Sequence, residues 1–214
     1  MSATSYDSLM GQVMPFLPGA PYPMVISAFN QSARELCRRA KCWSEWQDIT
    51  LVADQAGYSL TPATDDSSIR VIRAIIIPPR KPMTPITNDE IIRNRPYLLS
   101  AIGEPTAYVV NQDMSVTLYP KPTTAQAGVI AKARVSFVPN SDSVTLPADL
   151  IERFEEVLID GCKARMFATP GAWFEPNASA FHKQEFANGV AKAEIDLLTD
   201  YGSADLIVQK RAFI

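Results

Sequence analysis

Residues 129–162 read VIAKARVSFVPNSDSVTLPADLIERFEEVLIDGC, and the period of their apolar positions changes part-way along. Val129, Ala131, Ala133, Val135 and Phe137 alternate with Ile130, Lys132, Arg134 and Ser136, which is the period of a strand with one buried and one largely wet face. From Leu150 the repeat lengthens. Leu150, Phe154, Val157, Leu158 and Cys162 recur at spacings of three and four, the stripe of an amphipathic helix over 147–168. Thr145 ahead of Pro147 and Asp149 suits a helix start, and Thr169-Pro170-Gly171 ends it. A strand-rich region therefore gives way to a helical one near residue 146.

Towards the N-terminus the strand character persists to about residue 46. Ten of the 17 prolines fall there, at positions 62, 78, 79, 82, 85, 96, 105, 120, 122 and 139, a density that forbids long helices. Residues 69–77 are rich in β-branched side chains and stop at Pro78-Pro79. Residues 48–53 and 58–60 add short strands, and 108–110 with 115–119 make a hairpin around Asn111-Gln112-Asp113. Together they predict one modest antiparallel sheet, interrupted by a short helix over 88–93. Before residue 46 the period is helical again. Ile26, Phe29, Ala33, Leu36 and Ala40 form the inner stripe of a helix over 24–42, with Asn30, Gln31, Arg34, Glu35, Arg38, Arg39 and Lys41 on its polar side. A shorter helix over 6–14 precedes Pro15. Beyond residue 168 a third long helix starts near Pro176, carries Phe181, Phe186, Val190, Ala193 and Leu197 inward, and ends where Gly202 can take the left-handed C-cap conformation.

Each apolar stripe must bury its face against a partner, so the helices from the two ends of the chain have to meet. The expected fold is α+β: a discontinuous helical bundle from residues 1–45 and 147–202, a β-rich insertion lobe over 46–146, and an extended C-terminal tail over 203–214. Trp43, Trp46, Trp173 and Phe174 flank helix ends, where large aromatics close a bundle or anchor a partner. The tail ends in Leu206-Ile207-Val208-Gln209-Lys210-Arg211-Ala212-Phe213-Ile214, β-prone and apolar with no following element to cover it. Joining the sheet edge of another protein as an added strand would satisfy its backbone groups.

Composition narrows the function. With 214 residues, 47% apolar and 20% charged, the chain has the make-up of a folded protein, and a net charge of −3 disfavours a nucleic-acid binder with a strongly basic face. No run approaches the roughly 20 apolar residues that span a bilayer, and the start lacks a secretion signal, so a soluble cytoplasmic product with no membrane partner is expected. The three cysteines read as reduced thiols, and a single histidine, His182, restricts acid–base and metal chemistry. Cys37, Cys42, Cys162 and His182 have the composition of a zinc site, but two residues five apart on one continuous helix point about 140° apart. No metal or cofactor is expected. Cys162 on an apolar stripe reads as packing rather than as a nucleophile paired with His182. The G-x-S-x-G, phosphate-loop, H-E-x-x-H and dinucleotide signatures are missing. Glu152, Glu155, Glu156 and Asp160 read as a solvated helix face, and Arg34, Arg38, Arg39 and Lys41 as solvated or acid-paired. The residues point away from an enzyme.

The run Ala33-Arg34-Glu35-Leu36-Cys37-Arg38 and then Cys42-Trp43 precede a strand-rich middle, after which come Leu146-Pro147-Ala148-Asp149-Leu150 and Gly161-Cys162-Lys163-Ala164-Arg165-Met166. Pro170-Gly171-Ala172-Trp173, Phe186 and the closing Lys210-Arg211-Ala212-Phe213 complete the series. In order and spacing this series resembles the head-to-tail adaptor (connector) proteins of tailed bacteriophages. The resemblance implies a structural virion protein at the head–tail interface, made in the host cytoplasm. It further implies a homo-oligomeric ring, a dodecamer, below the portal, joining head to tail and continuing the channel through which DNA is ejected. The implied partners are the portal protein, a tail or nozzle protein, neighbouring copies, and passing DNA contacted without sequence specificity; no reaction is implied. The portal-binding residues would be Leu206, Ile207, Val208, Lys210, Arg211, Phe213 and Ile214. The alternative is an enzyme or chaperone of phage assembly, for instance a hydrolase using the carboxylates from Glu152 to Asp160.

Overall fold

The computed structural model describes residues 3–78 and 82–198. It is mixed α/β, with six α-helices and three sheets among the described residues. The chain divides into two compact units, one made of Met1–Cys42 with Ser141–Ile214 and the other of Trp43–Asn140.

The second unit holds most of the strands. In chain order these are β1 (Ala3–Ser5), β2 (Ser44–Thr50), β3 (Gly57–Tyr58), β4 (Ser67–Ile76), β5 (Thr84–Pro85), β6 (Ala107–Val110), β7 (Val116–Tyr119), β8 (Ile130–Pro139) and β9 (Thr145–Pro147), of which β2 to β8 belong to this unit. The expectation of one sheet is corrected to two: a three-stranded antiparallel sheet in the order β2-β8-β4, and a four-stranded sheet in the order β3-β7-β6-β5. In the latter β5 runs parallel to β6. Strand β8, ten residues long, is paired along both edges by β2 and β4, and the hairpin pairs instead with β3 and β5. Ala131, Ala133, Val135 and Phe137 of β8 are fully buried, as their alternation predicts. The opposite face is less wet than expected, because Ser136 is also buried. The hairpin β6–β7 forms as read, pairing Ala107 with Tyr119 and Val110 with Val116. It shares a separate core of Ile86, Ile91, Leu98, Ala107, Val109 and Tyr119 with the short helix α3 (Asn88–Asn94) and the 3₁₀ turn Pro96–Leu99 that follows it. Helix α3 starts on Thr87, whose hydroxyl accepts a hydrogen bond from the Glu90 N–H at 3.2 Å.

In chain order the remaining helices are α1 (Asp7–Val13) and α2 (Tyr22–Ala40) before the strands, and α4 (Ala148–Arg153), α5 (Glu155–Ala168) and α6 (Pro176–Leu198) after them. All five belong to the first unit, where α5 packs against α1, α2 and α6, and α2 also packs against α6. Strands β1 and β9 pair antiparallel in the same unit. Phe29, Leu36, Phe154, Leu158 and Phe186 are all buried there. Gly161 on α5 sets how closely the helices approach: a Cβ at this position would lie 2.7 Å from the Ser32 side chain on α2 and 2.8 Å from Phe186 Cδ2 on α6. Arg165, one turn further along α5, ties the same three helices. Its guanidinium donates to Ser32 Oγ at 3.0 Å and to Glu35 Oε2 at 2.6 Å, and lies 5.3 Å from the Phe186 ring centroid.

Four helix expectations are corrected. Helix α2 ends at Ala40, not at residue 42, because Lys41 takes the left-handed conformation (φ 55°, ψ 36°) and donates its N–H to the Cys37 carbonyl. The helix expected over 147–168 is two helices broken at Phe154 (φ −115°, ψ 23°). The break escapes the period because the Phe154 N–H still reaches the Leu150 carbonyl and the Phe154 carbonyl still accepts from Leu158. Phe181 is not inward but 62% exposed. It precedes Phe186 by five residues and so stands about 140° off the stripe, which instead runs back from Phe186 through His182 and Ser179. Asn30, assigned to the polar side of α2, is buried and donates to the Ser141 carbonyl at 2.8 Å.

Candidate functional site

Cys37, Cys42, Cys162 and His182 do not converge. The thiols of Cys37 and Cys42 lie 3.6 Å apart, contrary to the continuous-helix arithmetic, because the left-handed turn at Lys41 folds Cys42 back over the last helical turn. Cys162 points elsewhere, its thiol donating to the Val25 carbonyl at 3.8 Å. Burial pushes its pKa up to about 12 against the milder pull of Arg165 and Lys163, so it is a protonated thiol at neutral pH. His182 Nδ1 sits 2.8 Å from Asp160 Oδ1, with the imidazole between the Phe167 and Phe181 rings. Among the described residues no group of three or more His, Cys, Asp or Glu side chains could hold a metal ion.

The charged clusters are equally dispersed. Asp160 is committed to His182, and Glu155 accepts from the Gln12 side-chain amide. Glu152 and Glu156 border an open groove of about 440 Å³ between the α4–α5 break and α6, with Arg153, Lys192 and Asp196 on its walls. On α2, Arg39 meets Glu35 at 3.7 Å, an exposed pair worth a fraction of a kcal/mol at most.

What the two units do present is apolar surface. In the helical unit a cavity of about 410 Å³ opens between the start of α2 and the segment leading into β9, lined by Tyr22, Pro23, Ile26 and Val144 with Ser27 and Ser143 beside them. Ile26, expected in the helix core, is only half-buried and lines this groove. In the strand-rich unit Ile92, Tyr97, Leu99 and Ile102 are exposed within eleven residues, and Trp46 is 51% exposed beside Arg134, its partner across β2 and β8. Among the aromatics that flank helix ends, Trp43 is buried against Phe137, Trp173 is half-buried and Phe174 is exposed. Exposed large apolar side chains of this kind suit protein contacts better than small-molecule chemistry. The 92–102 surface is not legible in the sequence, because its apolar residues follow neither a period of two nor one of 3.6.

A family model described as SU10 adaptor protein matches residues 4–208 of the chain. The chain belongs to this adaptor family. The match runs through both units and bears out the resemblance to phage head-to-tail adaptors. It gives the adaptor a structural role in contact with phage head and tail components, and so a place in the virion. None of the curated proteins compared matches the adaptor. No helix among its described residues is long and apolar enough to cross a membrane. The residues assigned to portal binding, Leu206, Ile207, Val208, Lys210, Arg211, Phe213 and Ile214, lie outside the described residues, as does Gly202.

Proposed function

We propose that this adaptor forms a homo-oligomeric ring below the portal of a tailed phage, joins the head to the tail and continues the DNA channel. The observation that carries the reading is the family match over residues 4–208. In this reading the helices from both ends of the chain act as one discontinuous bundle, the β-rich region over 46–146 is an inserted lobe, and residues 203–214 leave the subunit. The tail adds a strand to the portal, with Leu206, Val208 and Lys210 alternating against Ile207, Gln209 and Arg211, and with Phe213 and Ile214 as terminal anchors. A ring engages many such tails at once, and avidity then offsets the cost of ordering each one. A net charge of −3 suits a conduit, since a wall without clustered lysines does not hold phosphates through counterion release.

Electron microscopy of the protein mixed with portal tests the reading directly, ring-shaped density on the portal being the expected result. Deleting residues 203–214 is expected to abolish portal attachment while leaving the melting temperature unchanged. Normal attachment by the shortened chain would remove the tail from the proposal, and a collapse of melting would assign the tail to the subunit's own fold.

A further inference from the structure

Three thiols are present, and two of them are placed where they can react with each other. Cys37 occupies the last turn of α2, and Cys42 follows the left-handed residue Lys41 that closes the helix. A helix end of this form brings the residue after the left-handed position back against the one five before it, and the pair makes the apolar contact that seals the cap. Here both members are cysteines, 3.6 Å apart sulfur to sulfur and neither in a disulfide, with residue exposures of 1% for Cys37 and 7% for Cys42.

We propose that Cys37 and Cys42 form an intrachain disulfide by exchange with a low-molecular-weight disulfide, converting the cap of α2 from a thiol contact into a covalent one. Cys42 is the first attacker, being the more exposed and lying beyond the helix end, where local opening costs least. Its thiolate displaces one small thiolate from the reagent and is left as a mixed disulfide. The Cys37 thiolate, its proton passed to solvent, then attacks the Cys42 sulfur and expels the second small thiolate. Two protein thiols lose two protons and two electrons in total, and one small disulfide becomes two small thiols. The sulfurs need approach only from contact distance to the bond length of about 2.0 Å, a movement within reach of side-chain rotation. Cys162 takes no part. It is buried, it faces the Val25 carbonyl, and its raised pKa keeps it protonated.

The timing rests on the adaptor reading. A chain made in a reducing cytoplasm and carried out in a virion meets an oxidising medium only after release, so the pair closes at that stage. Cys42 is the last residue of the helical unit before the chain enters Trp43–Asn140, and the bridge would fix the point of exit.

The test uses the full-length protein, purified reduced and incubated with oxidised glutathione in native buffer, then unfolded in urea that contains the alkylating reagent and digested with trypsin without reductant. Trypsin cuts after Arg38, Arg39 and Lys41, so peptides 35–38 and 42–70 separate when the thiols are free and remain joined when they are bridged. The expected result is the joined pair, a loss of about 2 Da from the intact chain, and an alkylated Cys162. Separate alkylated peptides, a lasting glutathione adduct on Cys42, or a bridge involving Cys162 would overturn the proposal. The same digest on particles unfolded directly in the alkylating reagent addresses the timing. Joined peptides support it, and separate peptides from particles that contain the chain overturn closure on release. Particles that lack the chain would defeat the adaptor reading, with the result on the purified protein standing by itself.

Discussion

Gly161 and Gly11 are both helical glycines, and their surroundings give them opposite mutational signs. A methyl group at Gly161 meets Ser32 and Phe186 on two neighbouring helices, so Gly161→Ala is expected to destabilise by about 1–3 kcal/mol through overpacking. A methyl at Gly11 on α1 meets nothing within 4 Å, so Gly11→Ala should stabilise by about 0.5–1 kcal/mol. Urea midpoints of the two variants check both signs. Cys162 carries a pH prediction. Its folded pKa is raised from near 9 to about 12, so between those values the folded chain keeps a proton that the unfolded chain has lost. Stability is therefore fully present below about pH 8.5 and falls as pH rises towards the folded value, by about 1.4 kcal/mol per unit. Tyr6 adds to the decline at higher pH, because burial pushes its phenol up as well. Denaturation followed from about pH 8 to 11 should show a shallower decline in Cys162→Ala than in the parent. An unchanged slope would mean that Cys162 is not the group responsible. At this scale the sequence was legible where burial follows period, as at Phe186 or Leu158, and illegible where a side chain is placed by a distant loop. Asn30 reads as polar surface until the Ser141 carbonyl, 111 residues away, is known to lie over it.

Among the elements, most strands and helices are of the expected kind, but the short strands β1 and β5 carry no sequence signal, and Thr145–Pro147, which reads as a helix start, is strand β9. The end of α2 also departs from the reading. Its capping position is held by Lys41 in the left-handed region, where glycine is the usual signal, so the sequence carries no marker there and the helical reading runs on to residue 42. That extension made Cys37 and Cys42 point apart, when the actual turn brings them together. Lys41→Gly should relieve the strain of a side chain at φ 55° and raise stability by about 0.5–1 kcal/mol. A urea titration with an unchanged slope and a higher midpoint would confirm this, and a lower midpoint would show that the lysine side chain makes a compensating contact. The break at Phe154 was hidden for a different reason. Leu150, Phe154, Leu158 and Cys162 keep a spacing of four straight through it, and a backbone irregularity that preserves both the apolar spacing and the hydrogen bonds leaves no trace in a periodicity.

For the molecule as a whole, the two changes of hydrophobic period lie within about six residues of the boundaries between the compact units, at 42/43 and 140/141. How the strands divide between two sheets was not legible, because pairing partners far apart in sequence are chosen by edge availability rather than by any local pattern. The strand-rich unit is continuous in sequence and has its own buried residues on β8 and around the hairpin. The isolated segment 43–140 is therefore expected to fold by itself, with a single cooperative unfolding transition and the far-ultraviolet signature of a β-rich protein. A segment that stays unfolded would show that the helical unit is needed to complete it. The chain enters this unit on β2 and leaves it on β8, which are hydrogen-bonded neighbours running in opposite directions, with Ser44 opposite Ser136 and the Phe137 N–H on the Trp43 carbonyl. Both connections are thus anchored at the same end of one strand pair. A pulling force transmitted through them loads the ladder one rung at a time, starting at Trp43, instead of shearing all its hydrogen bonds together. Under tension the unit would give way by unzipping from that seam, at lower force than a sheet gripped at opposite ends.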